Sequence, residues 1–149
     1  MIVAAVAAFS AGCVSSTDAP TVSRSSWRVD CSTDQVTAER RCFAGTFGTP
    51  QAPFQVYYNG SRGPFVMAGF NTFPGRNALV RFDSDSTPFT VPDDAGVSAI
   101  RPAPQIVQRM MTASTAHVRY NSWPNGGRTM TVDVTGFPEA WSRLQEMRR

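Results

Sequence analysis

Between Thr115 and Thr135 the sequence alternates apolar and polar residues in two runs, separated by the cluster Trp123-Pro124-Asn125-Gly126-Gly127. A period of two does not fit a helix, which repeats at 3.6, so the segment reads as a β-hairpin with one buried face. Ala116, Val118, Tyr120, Met130, Val132 and Val134 share one face. His117, Arg119, Thr131 and Asp133 share the other. Setting Ala116 against Val134 brings His117 opposite Asp133 and Arg119 opposite Thr131. This pairing needs an odd-length loop, because an even one would set polar side chains against apolar ones.

The rest of the chain supplies partners for that hairpin. Trp27-Arg28-Val29, Phe43 to Phe47 and Phe89-Thr90-Val91 read as short strands. Phe54 to Tyr58 and Pro64 to Ala68 flank the turn cluster Asn59 to Gly63 and read as a second hairpin. Ala78 to Asp83 alternates in its second half. The period then changes: Ile106, Val107, Met110, Met111 and Ala113 share a helical face over 104–114, with Pro104 in the first turn. Phe137, Ala140, Trp141 and Leu144 form the inner face of a closing helix over 138–147. No strand–helix–strand unit occurs. The fold class is therefore α+β, mostly antiparallel β, with one central amphipathic helix and a C-terminal helix. At 149 residues the chain has room for one domain of the usual size, about 100–200 residues.

The N-terminus reads as an address. Ile2 to Phe9 is apolar and falls short of the ~20 residues that span a bilayer. It suits the core of a signal peptide, and the small residues Ser10-Ala11-Gly12 precede Cys13. This order resembles the bacterial lipobox, in which the Cys is lipidated and becomes the first mature residue. Ser10 stands where Leu is usual, and no basic residue precedes the apolar run. Cleavage near Ala11, giving a plainly secreted chain, is the alternative. The expected division is a signal peptide over 1–12, a flexible tether over 13–25 after a lipidated Cys13, and one β-rich domain over 26–149.

With Cys13 committed to lipid, Cys31 and Cys42 remain, and an even remainder in an exported domain predicts a disulfide. Zinc is the rival, but it needs about four ligands in close pairs. Here the spacing is wide and the sole histidine, His117, is distant. Neither a metal site nor a cofactor is expected.

All fourteen basic residues are Arg, and the formal net charge is +3. They are scattered rather than gathered into a stripe, and no reader motif accompanies them, so nucleic acid is not an expected partner. His117 with Asp133 is the one His–carboxylate pair that the strand pattern brings together. No Gly-x-Ser-x-Gly motif supplies a nucleophile, so a small envelope hydrolase stays the alternative reading and no catalytic residue is assigned. Asp83/Asp85 and Asp93/Asp94 lie in turn-rich stretches, where Asp serves local hydrogen bonding. Arg76, Arg81 and Arg119, with His117 and Asp133, are the candidate ligand-binding residues. Arginine forks suit an anionic glycan or lipid headgroup.

The ordered features also resemble the invasion-associated locus B family of small exported bacterial envelope proteins. They are Trp27-Arg28-Val29, Cys31 and Cys42, Phe73-Pro74-Gly75, Val80-Arg81-Phe82-Asp83, the amphipathic helix, His117-Val118-Arg119-Tyr120, and Val134-Thr135-Gly136-Phe137 with Ala140 and Trp141. The likeness covers about residues 26–147. A similar accessory protein of type VI secretion clusters usually carries a further C-terminal Cys, which is not found here. The resemblance implies a β-rich, sandwich-like or curved-sheet envelope protein and implies no catalytic residues. The expected function is an interaction or accessory module. Its partners would be the membrane, through the lipid, and another envelope protein.

Overall fold

A computed structural model describes residues 21–22, 27–46, 54–69, 71–94, 97–100, 103–124 and 126–149. The strands are β1 (Thr21–Val22), β2 (Trp27–Thr33), β3 (Arg40–Thr46), β4 (Phe54–Asn59), β5 (Arg62–Ala68), β6 (Ala78–Phe82), β7 (Phe89–Val91), β8 (Asp93–Asp94), β9 (Val97–Ile100), β10 (Thr115–Ser122) and β11 (Gly126–Asp133). Helix α1 (Pro104–Met110) separates β9 from β10, and α2 (Phe137–Met147) follows β11. They form two open sheets, ordered β1-β11-β10-β6-β7 and β2-β3-β4-β5-β9-β8. Every pairing is antiparallel except β1 with β11. The α+β class, mostly antiparallel, is the one the sequence pattern led to.

One apolar core joins the two sheets. The first sheet contributes Val80 and Phe82 from β6, Val118 from β10 and Val132 from β11. The second contributes Phe54 and Val56 from β4 and Val66 from β5. Helix α1 adds Ile106, Val107 and Met110. It ends at Met110 rather than continuing to Ser114, its last turn tightened where the Thr112 amide reaches the Arg109 carbonyl three residues back. Met111, expected on the inner face, is 37% exposed, because it lies about 100° round the helix from the fully buried Met110.

Helix α2 builds a smaller satellite. Ala140 and Leu144 pack on Cys42 and Ala44 of β3 and Tyr58 of β4. Phe137, at its start, reaches the main core. Trp27 bridges the two clusters. It packs on Phe137 at 5.1 Å between ring centroids. Its Nε1 donates to the Asp133 carbonyl at 2.9 Å, tying the edge of the second sheet to the end of β11.

Cys31 and Cys42 face each other across β2 and β3 and form the expected disulfide, with Cα atoms 4.0 Å apart. Thr21 and Val22, in the stretch expected as a tether, pair with Thr131 and Val132. Cys13 and the expected signal peptide lie outside the described residues.

The β10–β11 hairpin keeps the expected faces and changes register. Ala116 pairs with Val132 and Val118 with Met130. The strands run on to Ser122 and Gly126, leaving a three-residue connection, 123–125, instead of five. Gly126 closes it with φ +80°, a region open to glycine without steric cost. Shortening the loop by two keeps every apolar residue on the core face, so alternation alone does not distinguish the two registers.

Candidate functional site

The register decides which polar residues meet. His117 lies opposite Thr131 on β11, not Asp133, and opposite Arg81 on β6. Arg119 lies between Leu79 of β6 and Thr129 of β11, not beside Thr131. These side chains project from the outer face of the first sheet, because their neighbours Val80, Val118 and Met130 point into the core. Leu79, Arg81, Pro88, His117, Arg119 and Thr129 line a shallow groove of about 350 Å³.

The groove is cationic. Arg81 and Arg119 are exposed, and neither guanidinium has a hydrogen bond or ion pair among the described residues. They sit diagonally across β6 and β10, where side chains of a sheet are roughly 7 Å apart. His117 is half-buried between them, with its Nδ1 3.4 Å from the Thr131 hydroxyl. Two forked guanidinium groups and neighbouring hydroxyls form a concave donor surface suited to an anion.

Of the five candidate ligand-binding residues, the fold gathers three: Arg81, His117 and Arg119. Arg76 sits in the 73–77 turn, away from the groove lining. Asp133 is on the same face as His117 but opposite Thr115. Its Oδ1 accepts from the Thr135 amide at 2.9 Å and the Thr135 hydroxyl at 2.6 Å, bracing the turn into α2. The hydrolase reading thus loses the direct His117–Asp133 pairing on which it rested.

The other carboxylates brace loops. Asp83 Oδ1 accepts from the amides of Ser114 and Thr115 at 3.0 and 2.8 Å. Asp85 receives a bidentate fork from Arg109 at 3.0 and 2.8 Å. Hydrogen bonding from Arg109 holds the Asp85 carboxyl below the usual carboxylate range and raises Arg109 in turn. Asp93 accepts from the Thr72 hydroxyl at 2.7 Å and the Gly75 amide at 2.9 Å. No cluster of three His, Cys, Asp or Glu side chains with metal-binding geometry occurs among the described residues.

A second groove, of about 450 Å³, lies on the outer face of the other sheet and was not singled out from sequence. Arg41, Phe43, Gln55, Tyr57, Asn59 and Met67 line much of it. The signal was the adjacent pair Tyr57-Tyr58 in Phe54-Gln55-Val56-Tyr57-Tyr58. With Tyr58 turned inward, the alternation leaves another aromatic ring on the outer face.

The described residues define a small, mostly antiparallel two-sheet α+β domain with a disulfide and a groove on the outer face of each sheet. Among solved structures it is similar to invasion associated protein B from Bartonella henselae. The TM-score is 0.54 at 14% identity, over 83% of this chain and 94% of the other. That likeness is one of fold. No protein-family model matches the sequence, and no curated protein matches it. Among the described residues no helix is long and apolar enough to cross a membrane.

Proposed function

We propose that this chain is an exported bacterial envelope protein, anchored through lipid on Cys13, whose domain is a non-catalytic binding module. Its groove of Arg81, His117 and Arg119 receives an anionic group, phosphate or carboxylate, presented by a component of the envelope. The observation that carries this reading is the gathering of two unpaired guanidinium groups in one concavity. An Arg with no role would more often be solvated singly or paired with a carboxylate, as Arg28 is with Asp30. The disulfide and the apolar core shared by the two sheets suit a rigid domain outside the cytosol. The similarity to an invasion-associated protein supports the same setting. Three acyl chains suffice for stable anchoring, at about 0.8 kcal/mol per buried methylene.

The test is a titration of the ¹⁵N-labelled domain with inorganic pyrophosphate at low and high salt. Saturable shifts at Arg81, His117 and Arg119 are expected, weakening as salt screens the charges. The Arg81→Ala/Arg119→Ala variant should lose them with its fold unchanged. Absent or salt-indifferent binding, or binding untouched by the double variant, refutes the reading.

A further inference from the structure

The connection between β10 and β11 carries Trp123, the one exposed aromatic residue among the described residues, at 62%. A single exposed apolar side chain is ordinary, but Trp123 does not stand alone. Two loops are tied into one tip there. The Trp123 amide donates to the Asn71 carbonyl at 2.7 Å, and the Phe73 amide donates to the Asn121 carbonyl at 3.0 Å. Between them Thr72 bridges to Ser122. Phe73 is half-buried and meets the Trp123 ring edge-on, at 4.9 Å between centroids. Pro74 and Pro124, beside the two rings, are exposed.

Two unpaired cations flank this apolar tip. Arg76 closes the turn that starts at Phe73, its amide donating to the Phe73 carbonyl at 3.1 Å. Arg128 faces Tyr120, two residues in from the hairpin end at Gly126. Both are exposed, and neither guanidinium has a hydrogen bond or ion pair among the described residues. Asp93 is occupied by the turn itself, accepting from the Thr72 hydroxyl at 2.7 Å and the Gly75 amide at 2.9 Å.

Strand direction relates the tip to the anchor. Because β1 runs parallel to β11, it enters the sheet from the Gly126 end, the end that carries Trp123. Thr21 lies opposite Thr131, about 17 Å along β11 from Gly126 at ~3.4 Å per residue. Thr21 stands eight positions after Cys13, a reach of at most about 28 Å. A lipid on Cys13 can therefore enter the same bilayer surface that the tip touches.

We propose that the Trp123–Phe73 tip inserts into the interfacial layer of an anionic phospholipid bilayer, with Arg76 and Arg128 on its headgroups. An indole ring favours the depth where apolar and wet surroundings meet. Each Arg near an anionic surface adds attraction. Two rings and two prolines offer roughly a few hundred Å², short of the ~800 Å² per partner of a stable protein interface. A second, weak contact beside a lipid anchor needs no such area. The proposal deepens the anchoring reading, on which the tether argument rests.

The experiment uses the full chain as Cys13→Ser, which takes no lipid, so that the two readings fail separately. It is titrated with phosphatidylcholine vesicles made with and without phosphatidylglycerol, with plain or brominated acyl chains. Vesicles containing phosphatidylglycerol should bind more tightly, and brominated chains should quench the tryptophan emission. Trp123→Phe should still bind and lose the quenching, because Trp27 and Trp141 are packed against the core clusters. Residues 1–12 are apolar, so each variant is read as a change from this parent. Trp123→Ala should weaken binding about tenfold. Arg76→Gln/Arg128→Gln should weaken it about twenty- to thirtyfold on the anionic vesicles alone. Arg81→Ala/Arg119→Ala should leave it unchanged, which separates the tip from the cationic groove. Emission that brominated chains do not quench overturns the proposal. So does binding that Trp123→Ala and Arg76→Gln/Arg128→Gln leave intact, or equal affinity for the two kinds of vesicle.

Discussion

Reducing the Cys31–Cys42 bond should destabilise the domain by an amount the loop it closes determines. The cysteines are 11 positions apart. Restricting a loop of that size in the unfolded chain is worth about 3 kcal/mol in the chain-entropy account. Cys31 and Cys42 are cross-strand neighbours and α2 packs over Cys42, which is 2% exposed, so the folded sheet keeps the two residues together once the bond is reduced. Reduction with a phosphine changes no residue, only breaking the S–S bond and adding a hydrogen to each sulfur as the two move apart, so it isolates the cross-link better than substitution does. The assay is urea unfolding of oxidised and reduced wild-type protein, with thiols counted to prove the redox state. The expected loss of about 3 kcal/mol corresponds to a fall of roughly 10 °C in Tm for a domain of this size. The urea dependence should steepen as well, because the reduced unfolded chain exposes more surface. A loss under about 1 kcal/mol, with two free thiols demonstrated, would refute the reasoning.

Three other predictions concern the scaffold. Leu144→Ala empties the centre of the satellite cluster beneath α2, where Leu144 is fully buried, and should cost about 2–5 kcal/mol in denaturant unfolding. Gly69→Ala forces a residue at φ +114° and sets a Cβ 2.9 Å from the Tyr120 ring. The backbone strain alone is worth about 1–3 kcal/mol, read as a lowered Tm. Asp85 is held as a carboxylate by hydrogen bonding from Arg109. Its folded-state pKa lies below its unfolded value, so its stabilisation is complete above the unfolded value, about pH 4. It is lost as pH falls through the lowered folded value. Asp85→Asn should flatten that acid limb of the stability profile and leave the limb above about pH 5 unchanged in shape.

Much of the architecture was legible because side-chain period is a direct record of which face is buried. The β10–β11 alternation identified Val118, Met130 and Val132 as core, and Phe54 to Tyr58 with its returning strand marked the second hairpin. Register was not legible in the same way. Shifting the pairing by two residues preserves every face, so only the three-residue loop before Gly126 decided between His117–Asp133 and His117–Thr131. Strand β9 was missed because Val97–Ile100 is short and shows no alternation. The cationic groove was half legible. Arg81 and Arg119 share outward parity on separate strands, but nothing in the sequence states that β6 lies beside β10. Arg76 and Asp133 had the right chemistry and the wrong placement. The aromatic groove went unseen because an outer-face Tyr57 beside an inner-face Tyr58 reads simply as a strongly β segment.

The account rests on a chain that leaves the cytosol and is held at a membrane. The most direct measurement is intact-mass and peptide mass spectrometry of the mature protein recovered from bacterial membranes. The account predicts a chain that begins at an acylated Cys13, with Cys31 and Cys42 joined. A protein recovered from the soluble cell interior with residues 1–12 still attached and three free thiols would contradict it.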